Sequence, residues 1–279
     1  MFDPKTILAA TDLTRRSRAV AKRAALLARL HGSRLVLVHT IEPRKQTVAR
    51  ISLRKFTDPN RKAEAQLQTI CAAYPDLDIS YRILTGPPAT LVPDLAEEIG
   101  SDLIVLGLHL PRRVLETLRL TNLERITQAA RCPVLIAHRD EMLPYRRVLG
   151  AITFAPASAQ ALRVAARLAP EAEMHAIHAI DKPMPARLPV DELMSTSEMT
   201  EAETLRDAFM ARGDLPPCLH MPEIVPGGVH EVLQFRMAEL QPDLVVIGSH
   251  SGRDTENLGN YARDLMRAPP TDMLIAKPE

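Results

Sequence analysis

Tryptophan is absent from the 279 residues, and five Phe with four Tyr hold the aromatic share at 3%. A protein that reads single-stranded nucleic acid by stacking bases on aromatic rings needs more of them. The scarcity excludes that class and points to an aliphatic core. Charge of one sign is lacking too: 35 Lys and Arg face 34 Asp and Glu, a net +1 that excludes a uniformly basic nucleic-acid binder. Long apolar runs are missing. Residues 103–110 form one of the longest, about eight residues, where a membrane span needs roughly twenty; no transmembrane helix is expected. Met1-Phe2-Asp3-Pro4-Lys5 leads straight into a strand-like run, without the basic start and apolar stretch of a secretory signal. The cytoplasm is the expected compartment.

Cysteine is equally sparse. Cys71, Cys132 and Cys218 stand far apart, with no Cys-x-x-Cys pair and no His at ligand spacing beside them. Reduced thiols are expected, and neither a disulfide framework nor a structural zinc. Gly-x-Gly-x-x-Gly and Gly-x-x-x-x-Gly-Lys-Ser/Thr do not occur, so dinucleotide and ordinary P-loop chemistry have no support. There is no Gly-x-Ser-x-Gly nucleophile elbow. Ala10-Thr-Asp-Leu-Thr-Arg15 stands where ATP pyrophosphatases carry Ser-Gly-Gly-x-Asp-Ser. No nucleophile, base and oxyanion donor assemble, so no catalytic residue is assigned and the expected role is non-enzymatic. His175 and His178 are three apart in a strand, which sends them to opposite faces, and no metal site is expected there.

What the chain does have is an ordinary globular balance, 46% hydrophobic and 25% charged, over a length that fits two domains. It is a tandem repeat. Lys5-Thr-Ile-Leu-Ala-Ala-Thr-Asp-Leu13 matches Arg146-Arg-Val-Leu-Gly-Ala-Ile-Thr-Phe154 at an offset of 141. Ser101-Asp-Leu-Ile-Val-Leu-Gly-Leu-His109 matches Pro242-Asp-Leu-Val-Val-Ile-Gly-Ser-His250 at the same offset, and Thr85-Gly-Pro87 matches Pro226-Gly-Gly228. Beyond His250 the offset falls to 139, since Val134-Leu-Ile-Ala-His138 answers to Met273-Leu-Ile-Ala-Lys277. The second copy has lost two residues in the loop between. Domains at 1–140 and 141–279 follow, with a short linker near Asp140 to Pro144.

Each copy alternates strands and helices, the pattern of an α/β fold with a parallel sheet. In the first copy the patterning predicts strands at 6–10, 34–40, 79–84, 103–106 and 133–137. Helices are predicted at 18–30, 62–73, 90–99 and 122–130, the first stopped by Gly32. Such βα units place ligand sites at the carboxyl ends of the strands.

This order of elements, the strand end Asp102-Leu-Ile-Val-Leu-Gly-Leu-His109 and the closing Ala129-Ala-Arg-Cys-Pro-Val-Leu-Ile-Ala137 resemble the universal stress protein family, over essentially the whole chain and twice. The resemblance implies an α/β fold of two open, mostly parallel five-stranded sheets with nucleotide-binding, Rossmann-like topology. It also implies an intramolecular pseudo-dimer in which the copies pair through their last strands, as two subunits do in a single-domain homodimer.

The ATP-binding members of that family carry an Asp at the end of strand one, Gly-x-x-Gly after strand four, a nine-residue spacer, and Gly-Ser or Gly-Thr opening the last helix. Glycines let backbone N–H groups approach phosphates, and a helix start offers unpaired donors and the positive end of its dipole. In the first copy Asp12 and Gly107 are in place, beside His109, but Leu110 replaces the second glycine and Leu120-Thr121 replaces Gly-Ser. In the second copy Thr153 replaces the Asp, while Gly248-Ser249-His250-Ser-Gly252 and Gly259-Asn260 keep glycines across a spacer of six. By resemblance the nucleotide contacts therefore fall on Asp12, Gly107, His109, Thr121, Gly248, Ser249, His250, Gly252, Gly259 and Asn260. Three readings stay open: a stress-linked binding or regulatory module for ATP, a nucleotide-hydrolysing or nucleotidyl-transferring enzyme of the same broad fold, and an interaction scaffold that binds nothing small.

His39 and His178 end the second strand of each copy, where adenine approaches backbone groups in that reading. Arg15, Arg16 and Arg18 after strand one, with Arg112 and Arg113 after strand four, leave one sheet edge and form a candidate anion cluster. The near-zero net charge also hides a division: residues 1–140 carry 22 basic and 14 acidic side chains, a balance of +8, and residues 141–279 carry 13 and 20, a balance of −7. Residues 44–70 hold seven bases and two acids, whereas 182–214 hold four bases and seven acids. The readings are two solvated faces that diverged, or complementarity within the chain or between copies.

Overall fold

A computed structural model describes residues 3–14, 17–42, 58–108, 120–140, 143–180, 197–249 and 258–278. Contacts divide the chain into two compact units, Asp3–Met142 and Leu143–Glu279. The first unit runs β1 (Thr6–Ala10), α1 (Arg18–His31), β2 (Arg34–Ile41), α2 (Pro59–Ala72), β3 (Ile79–Thr85), α3 (Pro88–Glu98), β4 (Leu103–Gly107), α4 (Asn122–Ala129) and β5 (Val134–Ala137). Its strands lie in the order β3-β2-β1-β4-β5, all parallel. The second unit repeats this with β6 (Arg147–Ala151), α5 (Pro156–Leu168), β7 (Glu173–Ile180), α6 (Ser197–Met210), β8 (Glu223–Pro226), α7 (Val229–Leu240), β9 (Leu244–Gly248), α8 (Asn260–Arg267) and β10 (Asp272–Ala276). Its order is β8-β7-β6-β9-β10, again parallel. Among the described residues no helix is long and apolar enough to cross a membrane.

The central strands read as unbroken aliphatic runs because both faces of a parallel sheet are covered. Ile7, Leu8 and Ala9 of β1 and Leu103, Ile104 and Val105 of β4 are fully buried, as are Leu244, Val245 and Val246 of β9. Burying one such Leu or Ile contributes about 1.5–3 kcal/mol. Helix α1 presents Val20, Ala24, Leu27 and Ala28 to this core and ends at Gly32, which turns left-handed at φ 64° and donates its N–H to the Ala28 carbonyl.

One device recurs at the 141-residue offset. Asp102, just before β4, accepts the N–H groups of Lys5 and Thr6 at 2.8 and 3.0 Å. Asp243, just before β9, accepts those of Arg146 and Arg147 at 2.8 and 3.1 Å. Each carboxylate fastens the start of the unit's first strand to its fourth, which gives the repeated Asp a structural reason.

Element boundaries depart from the sequence prediction mainly at helix starts. Helix α2 begins at Pro59, three residues before the predicted start, because Asp58 caps it by accepting the Asn60 N–H at 3.0 Å and Pro59 fits the first helical position. Helix α3 begins at Pro88 for the same steric reason. The segment 43–57, which carries most of the basic run, lies outside the described residues, and so does 181–196 of the acidic one.

Candidate functional site

At the carboxyl end of β1, Thr11 donates its N–H to the Val38 carbonyl at 2.9 Å and so extends the ladder by one residue. The chain then turns through Leu13 at φ 58°. Thr11 Oγ1 accepts the Leu13 N–H at 3.1 Å and lies 2.8 Å from the Ser17 hydroxyl. Asp12, exposed beside this turn, accepts the N–H and the hydroxyl of Thr14 at 2.9 and 2.7 Å. Burial of part of the group raises the Asp12 pKa, but the two Thr14 bonds, the Ser17 hydroxyl and His39 together outweigh it and hold the carboxyl below its ordinary range. Asp12 is thus a fixed negative charge at the mouth of the first unit.

The same turn recurs in the second unit without the charge. Ile152 donates its N–H to Ile177 at 2.9 Å, Phe154 takes φ 59°, and Ser158 accepts the Thr153 N–H at 3.1 Å. Leucine and phenylalanine in left-handed backbone cost about 1–2 kcal/mol each relative to an ordinary conformation. In the first unit Thr11 accepts the Leu13 N–H and is itself bonded to Ser17, the N-cap of α1; in the second, Ser158 in the first turn of α5 accepts the Thr153 N–H. The histidines at the second strands complete the frame: His39 Nδ1 lies 2.8 Å from the Thr11 carbonyl and His178 Nδ1 lies 2.9 Å from the Ile152 carbonyl. A carbonyl only accepts, so Nδ1 carries the proton and Nε2 is left as the acceptor in each neutral ring. Phe154 packs on His178 with centroids 4.7 Å apart and on Phe209 at 5.5 Å.

The glycines that end β4 and β9 have a packing role. A Cβ on Gly107 would lie 2.9 Å from Val20 Cγ2, and one on Gly248 would lie 2.9 Å from Ala157 Cβ and 3.0 Å from the backbone of Ala157 and Ser158. They let α1 and α5 approach the sheet. Gly107 and Gly248 are therefore required with or without a phosphate, a demand that the sequence pattern does not separate from ligand approach.

The last helices differ between units. At α4, Thr121 and Glu124 form a capping box: Glu124 Oε2 accepts the Thr121 N–H at 2.6 Å and Thr121 Oγ1 accepts the Glu124 N–H at 3.2 Å. Both polar groups of Thr121 assigned to phosphate by resemblance are committed to its own helix, and Glu124 is wholly buried. At α8 the N-cap is Gly259, with no side-chain cap and no acid in the first turn. Ser249, 2% exposed, donates its N–H to Ala276 at 2.8 Å and accepts the Gly259 N–H at 3.0 Å. Among the described residues its Oγ is buried without a partner, as is the Tyr261 hydroxyl, whose pKa burial drives upward. Asn260 Oδ1 accepts from the Arg263 guanidinium. The Tyr261 ring meets His230 edge-on at 5.0 Å, and His230 Nε2 lies 3.8 Å from Asp264.

Of the residues assigned from sequence, Asp12, Gly107, Thr121, Gly248, Ser249, Gly259 and Asn260 thus fall at strand ends or helix starts. His109, His250 and Gly252 lie outside the described residues, as do Arg15, Arg16, Arg112 and Arg113. Sequence reasoning did not single out Leu13, Phe154, Ser17, Ser158 or Glu124; the serines were detectable as partners at the 141-residue offset.

Comparison with known proteins locates this geometry. The model of the universal stress protein family matches residues 4–138 and again 144–277. A protein of Staphylococcus haemolyticus named as a universal stress protein is 25% identical over 147 residues, covering 51% of this chain and 89% of its own. The crystal structure of a universal stress protein from Archaeoglobus fulgidus superposes with a TM-score of 0.71 at 18% identity, covering 98% of this chain and 96% of that one. A second, from Pseudomonas aeruginosa, gives 0.66 at 20% identity over 99% and 94%. At those identities the structures share the fold.

Proposed function

This chain belongs to the universal stress protein family through both of its halves, and from that membership we propose that it is a cytoplasmic, stress-linked binding or regulatory module that holds an adenine nucleotide, ATP in the first instance, without turning it over. Residues 1–140 and 141–279 are one domain copy each in this reading. The observation that carries it is the repeated frame at the strand ends. In each unit a hydroxyl, of Thr11 in the first and Ser158 in the second, accepts a backbone N–H of a left-handed turn, and a histidine is locked by its Nδ1 proton onto the carbonyl at the end of the first strand. Such a frame presents rigid backbone groups and an imidazole Nε2 at the switch point where open α/β sheets take ligands. The candidate contacts are Asp12 and Gly107 in the first unit and Gly248, Ser249, Gly259 and Asn260 in the second, with His109, His250 and Gly252 assigned by resemblance alone.

The frame supplies binding groups. The strand-end hydroxyls of Thr11, Ser17 and Ser158 are spent on their own turns, which suits a holder of nucleotide rather than a nucleophile. Calorimetric titration of the full chain with ATP and Mg²⁺, run beside an assay for released phosphate, tests the proposal. Saturable binding with no phosphate release is expected. Turnover supports the enzyme reading, and no binding leaves an interaction scaffold.

A further inference from the structure

The outermost strand of each unit, β3 in the first and β8 in the second, is paired on one side only among the described residues. The bonds at the strand ends decide which of its backbone groups face outward. The Asp78 carbonyl accepts the Leu35 N–H at 2.8 Å, and Gly86 donates its N–H to the Ile41 carbonyl at 3.0 Å, so the even-numbered residues of 78–86 turn inward to β2. Inward and outward groups alternate along a ladder. The N–H and C=O groups of Ile79, Tyr81, Ile83 and Thr85 are therefore left on the open edge. In the second unit Gly227 donates its N–H to the Ile180 carbonyl at 3.0 Å, which turns Glu223 and Val225 inward and Pro222, Ile224 and Pro226 outward.

The two edges are guarded differently. The 141-residue offset sets Tyr81 against Pro222, Arg82 against Glu223 and Thr85 against Pro226, and the equivalent bonds of Gly86 and Gly227 keep that register in the structure. Proline has no N–H, so β8 lacks the outward donors at Pro222 and Pro226. Met174 faces Leu219 while Ile177 faces Glu223, so this edge also carries one residue more than its neighbour over that stretch, a bulge. A short strand, prolines and a bulge are devices that block strand addition. On β3 they are missing: its seven residues, Ile-Ser-Tyr-Arg-Ile-Leu-Thr, hold an unbroken register against β2. Helix α2 steadies it, since the Tyr81 hydroxyl lies 3.4 Å from Glu64 and 3.3 Å from Gln68.

Arg82 sets the chemistry of the occupant. It is exposed, carries the one charge on β3, and its guanidinium donates to the outward Tyr81 carbonyl at 3.3 Å. A strand that takes this carbonyl must give the guanidinium another acceptor. Full antiparallel overlap with a second β3 sets Arg82 opposite its own counterpart, and like charges directly opposite repel. A carboxylate there pairs with it, in a unit whose balance is +8.

We propose that the β3 edge of the first unit is a docking strand for an extended acidic segment of a partner protein, added to the sheet with a carboxylate across from Arg82, while Pro222 and Pro226 close the equivalent edge of the second unit. The nucleotide reading is independent of this surface.

Fluorescence polarisation of a labelled, capped peptide, Thr-Val-Thr-Glu-Thr-Val-Thr, against the full chain tests the proposal beside two N-methylated forms, one methylated at the threonines flanking the glutamate and one at the valines. All three carry the same charge, so attraction to a basic surface is common to them. Only alternate N–H groups of an added strand face the sheet. One methylation pattern should therefore weaken binding by about tenfold or more, the scale of two backbone hydrogen bonds, and the other should leave it unchanged. T85P places the second unit's proline at an exposed position and should weaken the peptide about three- to tenfold. R82E should shift the preference to the peptide with Lys in place of Glu. Equal effects of the two methylations, or an affinity indifferent to both substitutions, overturns strand addition, as does no binding up to about 1 mM peptide. A dimer at high salt in sedimentation velocity that T85P dissolves puts a second copy on the edge and overturns the acidic partner.

Discussion

His31 closes α1 with its Nε2 buried and, among the described residues, unpartnered, and with Asp3 3.8 Å from Nδ1. Burial pushes its pKa down, and Asp3 only partly opposes it. The sign follows: the folded protein resists the proton that the unfolded chain accepts. Its contribution is whole above the ordinary imidazole value of about 6.5 and is lost as pH falls through that value toward the lowered one. Thermal unfolding followed from pH 7.5 to 5 should show Tm falling across this window, with a shallower slope in His31→Gln; parallel slopes would sink the assignment. The glycines at the two β-strand ends give a second residue-scale contrast. Gly248→Ala drives a Cβ to 3.0 Å from backbone atoms of α5, whereas Gly107→Ala meets only a methyl of Val20. Backbone cannot rotate aside, so Gly248→Ala should cost about 1–3 kcal/mol by denaturant unfolding and Gly107→Ala measurably less. Equal costs would mean that the α5 contact is not what demands a glycine.

Among the elements, α4 depends most on its cap, since eight residues are too few to form a helix by propensity. Thr121→Ala removes the acceptor for the Glu124 N–H and should cost about 1 kcal/mol, or about 2–4 °C in a domain of this size, with no matching loss for Asn260→Ala in the uncapped α8. The elements also mark how far the sequence carries. The five strands of the first copy were legible because buried parallel strands are continuous aliphatic runs, and the 141-residue repeat transferred them to the second. The start of α2 was not, because an Asp58-Pro59 pair signals a helix only when its capping role is weighed above the late onset of apolar periodicity. At the site, Gly107 and Gly248 were read from the pattern as phosphate contacts, while the structure gives them a packing demand that no one-dimensional spacing distinguishes. Leu13 and Phe154 were invisible, since their left-handed backbone goes with turns in which the Thr11 and Ser158 hydroxyl oxygens accept the Leu13 and Thr153 N–H groups, and not with their own preference.

At the scale of the whole molecule the charge division is the property that no single residue or element explains. A balance of +8 in residues 1–140 and −7 in 141–279 resides partly on helices at equivalent positions. Arg61 and Lys62 stand exposed on α2, and Glu201 and Asp207 stand exposed on α6. Individually such groups contribute little, because exposed pairs are worth about 0–1 kcal/mol and are screened over about 8 Å at physiological salt. Collectively, a basic half and an acidic half of the same chain orient an encounter between copies, since approaches that set the basic half of one copy against the acidic half of the other are favoured. Sedimentation velocity on the full chain should therefore show self-association at 50 mM NaCl that weakens steadily toward 500 mM. The paired substitutions Arg61→Glu and Lys62→Glu lower the first balance from +8 to +4 and should weaken the low-salt association, and adding Glu201→Lys and Asp207→Lys lowers the second from −7 to −3 and should weaken it further. Association unaffected by salt would place the contact on apolar surface instead, and a monomer at every salt would leave the opposite charges as two solvated faces that diverged after duplication.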